Sequence, residues 1–255
     1  MDDEPTLDPS DPAHWDARYA EQNWSGDPNM ALVAELGDIR PELGATALDV
    51  GCGEGADAVW LAGRGWAVTG LDVSAVGIQR GQAEAEAAGV EIEWVVSGLL
   101  DLDPSRSFDL VSAFYPVLVR TDGHDGERAL LRAVAPGGTL LVVHHVMDGS
   151  EHQHDAGHGH GHGHGHGHGQ DHGHGHGHEP AEGQHQETAE GESAQGPAFD
   201  PRTLVMPEGV RDLVASAEFA DDWVIEAFEE RPRQVAAGRG GGHVADRILR
   251  ARRVR

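Results

Sequence analysis

Three glycines at alternating positions, Gly51, Gly53 and Gly55, follow the apolar run TALDV (46–50), precede ADAVWLAG (56–63), and are followed by a second apolar run that closes on Asp72. Glycines so placed let a backbone approach a ligand closely, and a helix that starts beyond them points free N–H groups and the positive end of its dipole the same way. The stretch is therefore a cradle for a nucleotide-like ligand, with Asp49 and Asp72 at the ends of the two flanking strands. Gly51, Gly53 and Ala56 also satisfy the G-x-G-x-x-G/A spacing of a dinucleotide site, so an NAD-type oxidoreductase is one reading. The carboxylates oppose it. Asp49 stands two residues before the first glycine and Glu54 lies inside the loop, where both would repel a pyrophosphate and favour a ligand that carries ammonium and sulfonium groups.

Two further sets of side chains have chemical potential. His144 and His145 close the run TLLVVHHV (139–146), and Tyr115 follows the run FDLVSAF (108–114). They are candidates for acid–base work, although neighbouring strand residues point to opposite faces, so at most one of the two histidines meets a pocket. Phe114 and Tyr115 are expected to shape the pocket wall. The second set is a tract in which histidine alternates with glycine: His152, His154, His158, His160, His162, His164, His166, His168, His172, His174, His176 and His178. Neutral imidazole is a good ligand for Ni²⁺, Zn²⁺, Co²⁺ and Cu²⁺, and a flexible repeat can wrap such an ion in many equivalent ways. A metal-handling protein is thus an alternative reading of the whole chain.

These residues need elements to position them. The runs at 46–50, 66–71, 91–96, 108–114 and 139–146 are short, apolar and rich in β-branched residues, as strands buried on both faces of a parallel sheet are. Between them Ser74 is placed to cap a helix that ends at Gly89, and a helix over 127–135 is expected to stop at Pro136-Gly137-Gly138. Residues 11–22 and 29–39 read as helices laid against the sheet, with Trp15 and Tyr19 on the packed face. From 148 to 197 the hydrophobic periodicity is lost, which predicts a disordered insertion within a single domain made of 1–147 and 198–255. Beyond it, 207–217 reads as a helix and 222–233 and 243–253 as two strands with no helix between them, hence an antiparallel pair. The fold expected is a doubly wound, Rossmann-like α/β sheet of seven strands, mostly parallel, with an antiparallel last strand.

Composition narrows the partners. The chain has 44 acidic and 18 basic residues, a formal charge of −26, which argues against nucleic acid or an anionic membrane as partner. No stretch approaches the roughly 18 apolar residues of a spanning helix, and a single cysteine, Cys52, suits a reducing cytoplasmic setting. A small, neutral or cationic molecule is the expected substrate.

The stretch Asp49-x-Gly51-x-Gly53-x-Gly55 followed by Asp72 resembles the cofactor signature of class I S-adenosylmethionine-dependent methyltransferases, most closely their small-molecule branch of tellurite-resistance and thiopurine-type enzymes. The resemblance runs from WDARYAEQNWSGDPN (15–29) to the last two strands. It implies S-adenosylmethionine as cofactor, a small-molecule methyl acceptor and direct displacement. It further implies that Asp49 and Gly51 line the methionine moiety, that Gly53 and Gly55 allow close approach, and that Asp72, a loop carboxylate the fold could lose, holds both ribose hydroxyls. Trp24 and Asn29 resemble residues that close over the cofactor. The position at which such enzymes often hold the adenine amino group with an acid is Gly98, so Ser97, a backbone carbonyl, Asp101 or apolar contacts from Leu99 take that part. Ser112-Ala113-Phe114-Tyr115 lacks the Asn/Asp-Pro-Pro-aromatic run of many DNA methyltransferases.

Overall fold

Strand formation follows the apolar runs closely. In the computed structural model, which describes residues 11–21, 26–146, 203–233 and 245–255, these runs become β1 (Thr46–Val50), β2 (Ala67–Asp72), β3 (Ile92–Val96), β4 (Phe108–Phe114), β5 (Val134–His145), β6 (Trp223–Pro232) and β7 (Ala245–Arg253). They pair in the order β3-β2-β1-β4-β5-β7-β6, with β7 antiparallel to both its neighbours and the pairings among β1 to β5 all parallel. This is the expected seven-stranded sheet. The predicted insertion at 148–197, the histidines of its tract and Trp24 lie outside the described residues.

Helices cover both faces. On one, α2 (Met30–Leu36) and α3 (Ala56–Gly63) bury Leu32, Leu36, Ala58 and Leu61 against Leu110, Leu141, Val143 and Ile248 of the sheet. On the other, α5 (Asp125–Ala133) and α6 (Pro207–Val214) bury Leu130, Leu131, Val210 and Val214 against Val111, Leu140, Val142 and Leu249. Two covered faces explain why the central strands are apolar throughout rather than alternating. The helix α4 (Ala75–Ala88) begins and ends where its caps predict: Ser74 Oγ accepts a hydrogen bond from Gly77 N at 3.0 Å, and Gly89 takes the left-handed conformation with φ +68°.

Two expectations are corrected. The helix read over 127–135 ends at Ala133, and Pro136-Gly137-Gly138 lies inside β5, where the pairing with β4 jumps from Phe108↔Val134 to Leu110↔Thr139. Proline and glycine there mark a sheet irregularity, because a Cβ on Gly138 would come within 2.9 Å of the Phe108 carbonyl oxygen. The first helix, α1 (Pro12–Glu21), packs on α4 and the glycine loop rather than on the sheet. Asp16 Oδ1 accepts from Ser74 Oγ (2.6 Å) and Val76 N (3.1 Å), adding a second cap to α4, and the Tyr19 hydroxyl sits over Gly53.

Trp94 of β3 occupies a slot cut by three glycines. A Cβ on Gly55, Gly70 or Gly81 would stand 2.5, 2.8 or 2.7 Å from its ring. The indole is partly buried with all three glycines against it, so an added methyl has to displace it, and overpacking of this kind costs about 1–3 kcal/mol. Alanine would return only about 1 kcal/mol of helix propensity at Gly81. Gly81→Ala is therefore expected to lower the thermal midpoint; an unchanged or raised midpoint in a thermal melt would show that the slot has slack.

Candidate functional site

The loop from β1 to α3 turns on left-handed residues. Gly51, Gly53 and Gly55 have φ of +71°, +51° and +79°, a conformation that costs side-chain-bearing residues roughly 1–2 kcal/mol each. The loop is tied to β2, since Gly51 N and Cys52 N both donate to the Leu71 carbonyl at 2.8 and 3.1 Å. Asp72 completes the tie. Its Oδ2 accepts from Gly53 N and its Oδ1 from Ser74 N, both at 2.8 Å, in a buried position. Burial pushes the Asp72 carboxyl up from the usual range while these backbone bonds pull against the shift. Asp72 is thus a structural strut at the ligand edge: it ends β2 and is buried where the sequence suggested a loop carboxylate outside the core, and truncation would strand two buried donors.

Behind the loop are two carboxylates close enough to feel one another. Asp49 is buried; its Oδ1 accepts from Ser112 Oγ at 3.2 Å, and its Oδ2 has no hydrogen-bond partner among the described residues. Burial and the neighbouring Asp57 raise its pKa well above the ordinary value. Asp57, in the first turn of α3, accepts from Asn29 N at 2.6 Å and is pushed up to about 6, mainly by burial. Asp57 escaped the sequence reading because an acid in the first turn of a helix is commonplace. Glu54, by contrast, is paired with Arg80 at 2.5 Å.

A cleft of about 1750 Å³ opens over this loop at the carboxyl edge of the sheet. That volume exceeds the usual 300–1,000 Å³ of a single-ligand site and accommodates two ligands side by side. Asn29, Gly51, Gly53, Gly55, Asp72, Ser97, Gly98, Leu99, Phe114, Tyr115 and His145 all line it. Asp49, expected to line the ligand, is buried and is not part of the wall, while Trp15 and Tyr19 join the wall instead of a helix–sheet contact. At the Gly98 position the Asp101 carboxylate stands 3.5 Å from where a side chain would begin, and Ser97 Oγ turns to the Gly98 carbonyl at 3.3 Å.

The cleft wall also holds a polar cluster after β4 and at the end of β5. His145 faces the cleft; His144 is buried and is absent from its wall, as strand alternation requires. The His145 Nδ1 lies 3.0 Å from Asp246 Oδ1, and the Tyr115 hydroxyl donates to Asp246 Oδ2 at 2.9 Å. The two rings stack with centroids 4.2 Å apart, and the Arg233 guanidinium lies 5.4 Å from the Tyr115 centroid. Tyr115 is held at φ +50°, a strained value for a residue with a side chain. Burial pushes its hydroxyl up to about 12, so it remains a donor. For Asp246 burial acts upward, but the bonds from His145 and Tyr115 and the charges of His145 and Arg233 outweigh it and lower the carboxyl. Sequence reading missed Asp246, whose partners are 101 and 131 residues away.

Residues 47–138 match the family model of a methyltransferase domain. A ubiquinone biosynthesis O-methyltransferase of Paramagnetospirillum magneticum is 41% identical over 73 residues, 29% of either chain. The cypemycin N-terminal methyltransferase of a Streptomyces species is 30% identical over 134 residues, 51% of this chain and 53% of its own. Matches to curated relatives span between 27% and 61% of those proteins' lengths. Among solved structures, one described as converting a disulfide bond into a thioacetal group during echinomycin biosynthesis superposes with a TM-score of 0.62 at 24% identity, over 95% of this chain and 92% of that one. The N-methyltransferase NodS of Bradyrhizobium japonicum, in complex with S-adenosyl-L-homocysteine, gives 0.52 at 13% identity over 94% and 87%. Over residues 47–138 the chain is similar to a methyltransferase domain, and its sheet has the class I methyltransferase fold. In this fold the glycine loop, Asp49 and Asp72 occupy the carboxyl edge at which ligands bind.

The raised carboxyl of Asp57 makes the ligand-free domain pH-sensitive. A carboxyl with a higher pKa folded than unfolded stabilises the fold while protonated; this contribution is full below about pH 3.9 and is lost as pH rises through the folded value of about 6. Asp57→Asn keeps an oxygen for Asn29 N and removes the titration. The thermal midpoint of the variant relative to the parent is expected to rise as pH goes from about 5 to about 7.5. A difference that stays flat in thermal melts across that range would place the titration elsewhere.

Proposed function

We propose that the protein transfers a methyl group from S-adenosylmethionine to a small-molecule acceptor seated at the His145 end of the cleft. The observation that carries this reading is Asp49 Oδ2: a buried carboxylate oxygen without a hydrogen-bond partner among the described residues, beside a second raised carboxyl, behind a loop of left-handed glycines. Such a pair suits a cation, which the ammonium of S-adenosylmethionine supplies and a dinucleotide phosphate does not. When bound, S-adenosylmethionine supplies a methyl group activated by its sulfonium. The chain's own part is to hold and align. The glycine loop admits the methionine portion, Asp72 turns its remaining lone pairs to the ribose hydroxyls, Asp101 with Leu99 borders the adenine, and Phe114 flanks the reacting end. Alignment of this kind in a water-poor cleft supplies up to roughly 7–11 kcal/mol of the barrier in ideal intramolecular cases. Acidic composition and the curated relatives' names, one in ubiquinone biosynthesis, agree with a small acceptor rather than a polyanion.

Calorimetric titration with S-adenosylhomocysteine and with NADH tests the reading; binding of NADH alone would defeat it. Asp72→Asn, which keeps volume but not charge, is expected to weaken S-adenosylhomocysteine at least tenfold, since a charge-assisted hydrogen bond is worth about 1.5–3 kcal/mol. Unchanged affinity would mean that the ribose lies elsewhere.

For the Gly-His tract we propose a separate, auxiliary role, binding several Ni²⁺, Zn²⁺, Co²⁺ or Cu²⁺ ions in a cytoplasmic setting. Its support is the alternation of imidazoles from His158 to His178. Deleting residues 151–194 is expected to remove most Ni²⁺ binding at neutral pH and to leave S-adenosylhomocysteine affinity unchanged, and Ni²⁺ binding by the parent should weaken below about pH 6.5, where imidazoles protonate. Loss of S-adenosylhomocysteine binding on deletion would instead make the tract part of the methyl-transfer site.

A further inference from the structure

In the wall of the same cleft, the polar cluster of His145, Asp246 and Tyr115 is built to a pattern that simple packing does not require. Asp246 spends one carboxylate oxygen on the His145 ring and the other on the Tyr115 hydroxyl. Register sets this up: His145 of β5 lies directly opposite Asp246 of β7, which lies opposite Arg231 of β6, so all three share one face of the sheet, under α2. Arg231 is engaged by Glu35 of α2 at 2.6 Å, and Glu35 is also held by Arg250 at 2.8 Å, which leaves Asp246 to the histidine and the tyrosine. Stacking against Tyr115 fixes the plane of the imidazole, and Tyr115 is itself locked by its strained backbone and by hydrogen bonding to the Asn29 side chain. A carboxylate accepting from Nδ1–H puts the ring's lone pair on Nε2. The cleft that His145 lines has apolar side chains in its wall, Met30, Val33, Val117, Leu118 and Ile248 among them, together with Arg231 and Arg233. One oriented base in a cleft that also offers apolar side chains is the layout of a site that binds a molecule with a hydrocarbon body and works on a single polar atom.

We infer that His145, positioned by Asp246, is the catalytic base for methyl transfer to a hydroxyl or amine nucleophile carried on an apolar, aromatic-sized acceptor. The inference rests on the proposed function and names its acceptor class. In the step, a lone pair of the acceptor oxygen or nitrogen forms the bond to the methyl carbon, the carbon–sulfur bond breaks with its pair left on sulfur, and the acceptor proton passes to His145 Nε2. The positive charge lost from sulfonium reappears on the imidazolium, where the Asp246 carboxylate stabilises it. Tyr115 holds Asp246 in place and is not itself a base, since its hydroxyl is already given to that carboxylate. A thiol that ionises by itself would need none of this apparatus. Among the described residues, the titratable and charged groups around the ring include Asp246 on β7, Arg231 on β6 and Arg233 just after it, His144 with its ring centroid 5.8 Å away on β5, Tyr115 after β4, and Glu35 on α2.

The test uses the full-length chain, with catechol, benzylamine and thiophenol as acceptors, and reads methyl transfer against pH, S-adenosylhomocysteine affinity and the ¹⁵N spectrum of the histidine rings. Expected are transfer to catechol or benzylamine that falls on the acid side, a loss of about 10²- to 10⁴-fold at neutral pH in His145→Gln together with the disappearance of that acid limb, and unchanged S-adenosylhomocysteine affinity in the variant. In the ¹⁵N spectrum, the ring signal absent from His145→Gln should report an Nδ1–H tautomer in the parent and move to Nε2–H in Asp246→Ala. The inference is overturned by a His145→Gln rate within about threefold of the parent, by transfer to thiophenol alone, by no transfer to any of the three while S-adenosylhomocysteine binds, or by an Nε2–H tautomer in the parent. Failure of the parent to bind S-adenosylhomocysteine would overturn the proposed function instead.

Discussion

The ligand edge of the domain hangs on the bond that crosses from the end of β2 to the glycine loop, where Asp72 accepts from Gly53 N and Ser74 N with separate oxygens. Without those two acceptors the left-handed turn through Gly51, Gly53 and Gly55 would leave buried N–H groups facing carbon, and the entry to α4 would lose its anchor. The same carboxylate, though buried, belongs to the cleft wall. A residue that folds the loop is thus also the residue best placed to read a ribose, so binding and local stability are coupled by construction.

Other features of the site follow from that edge. Tyr19 can rest on Gly53 only because the loop has no side chain there, and its helix brings Asp16 to cap α4. Asp49 and Asp57 are packed into a space from which water is largely excluded, which raises both carboxyls and leaves one oxygen without a hydrogen-bond partner among the described residues. Burying like charges together is costly unless something compensates. A cationic ligand would relieve that cost, which makes the cost itself the source of selectivity for a cation over a phosphate.

The cleft wall around His145 is organised by strand register instead of by a loop. Pairing of β5 with β7 brings His145 opposite Asp246, and pairing of β7 with β6 brings Arg231 to the same row, where Glu35 of α2 draws it away from the aspartate. Slipping β7 by one residue would send Asp246 to the opposite face and set Ala245 or Arg247 opposite His145. The apolar residues Ile248 and Leu249, buried on opposite faces, hold that register.

What the sequence by itself determined is the part written in local terms: the apolar runs that become strands, the caps of α4 at Ser74 and Gly89, and the glycine loop with its two strand-end aspartates. Each of these is specified by neighbours a few residues away, through backbone conformation and periodicity. Only tertiary structure decided the rest. It placed α1 on the loop and not on the sheet, turned Pro136-Gly137-Gly138 from a helix stop into an irregularity of β5, made Asp57 a partner of Asp49, and chose His145 over His144 by joining it to Asp246. Those outcomes depend on contacts between residues far apart in the chain, and spacing along a chain does not encode which distant side chains a sheet will set face to face.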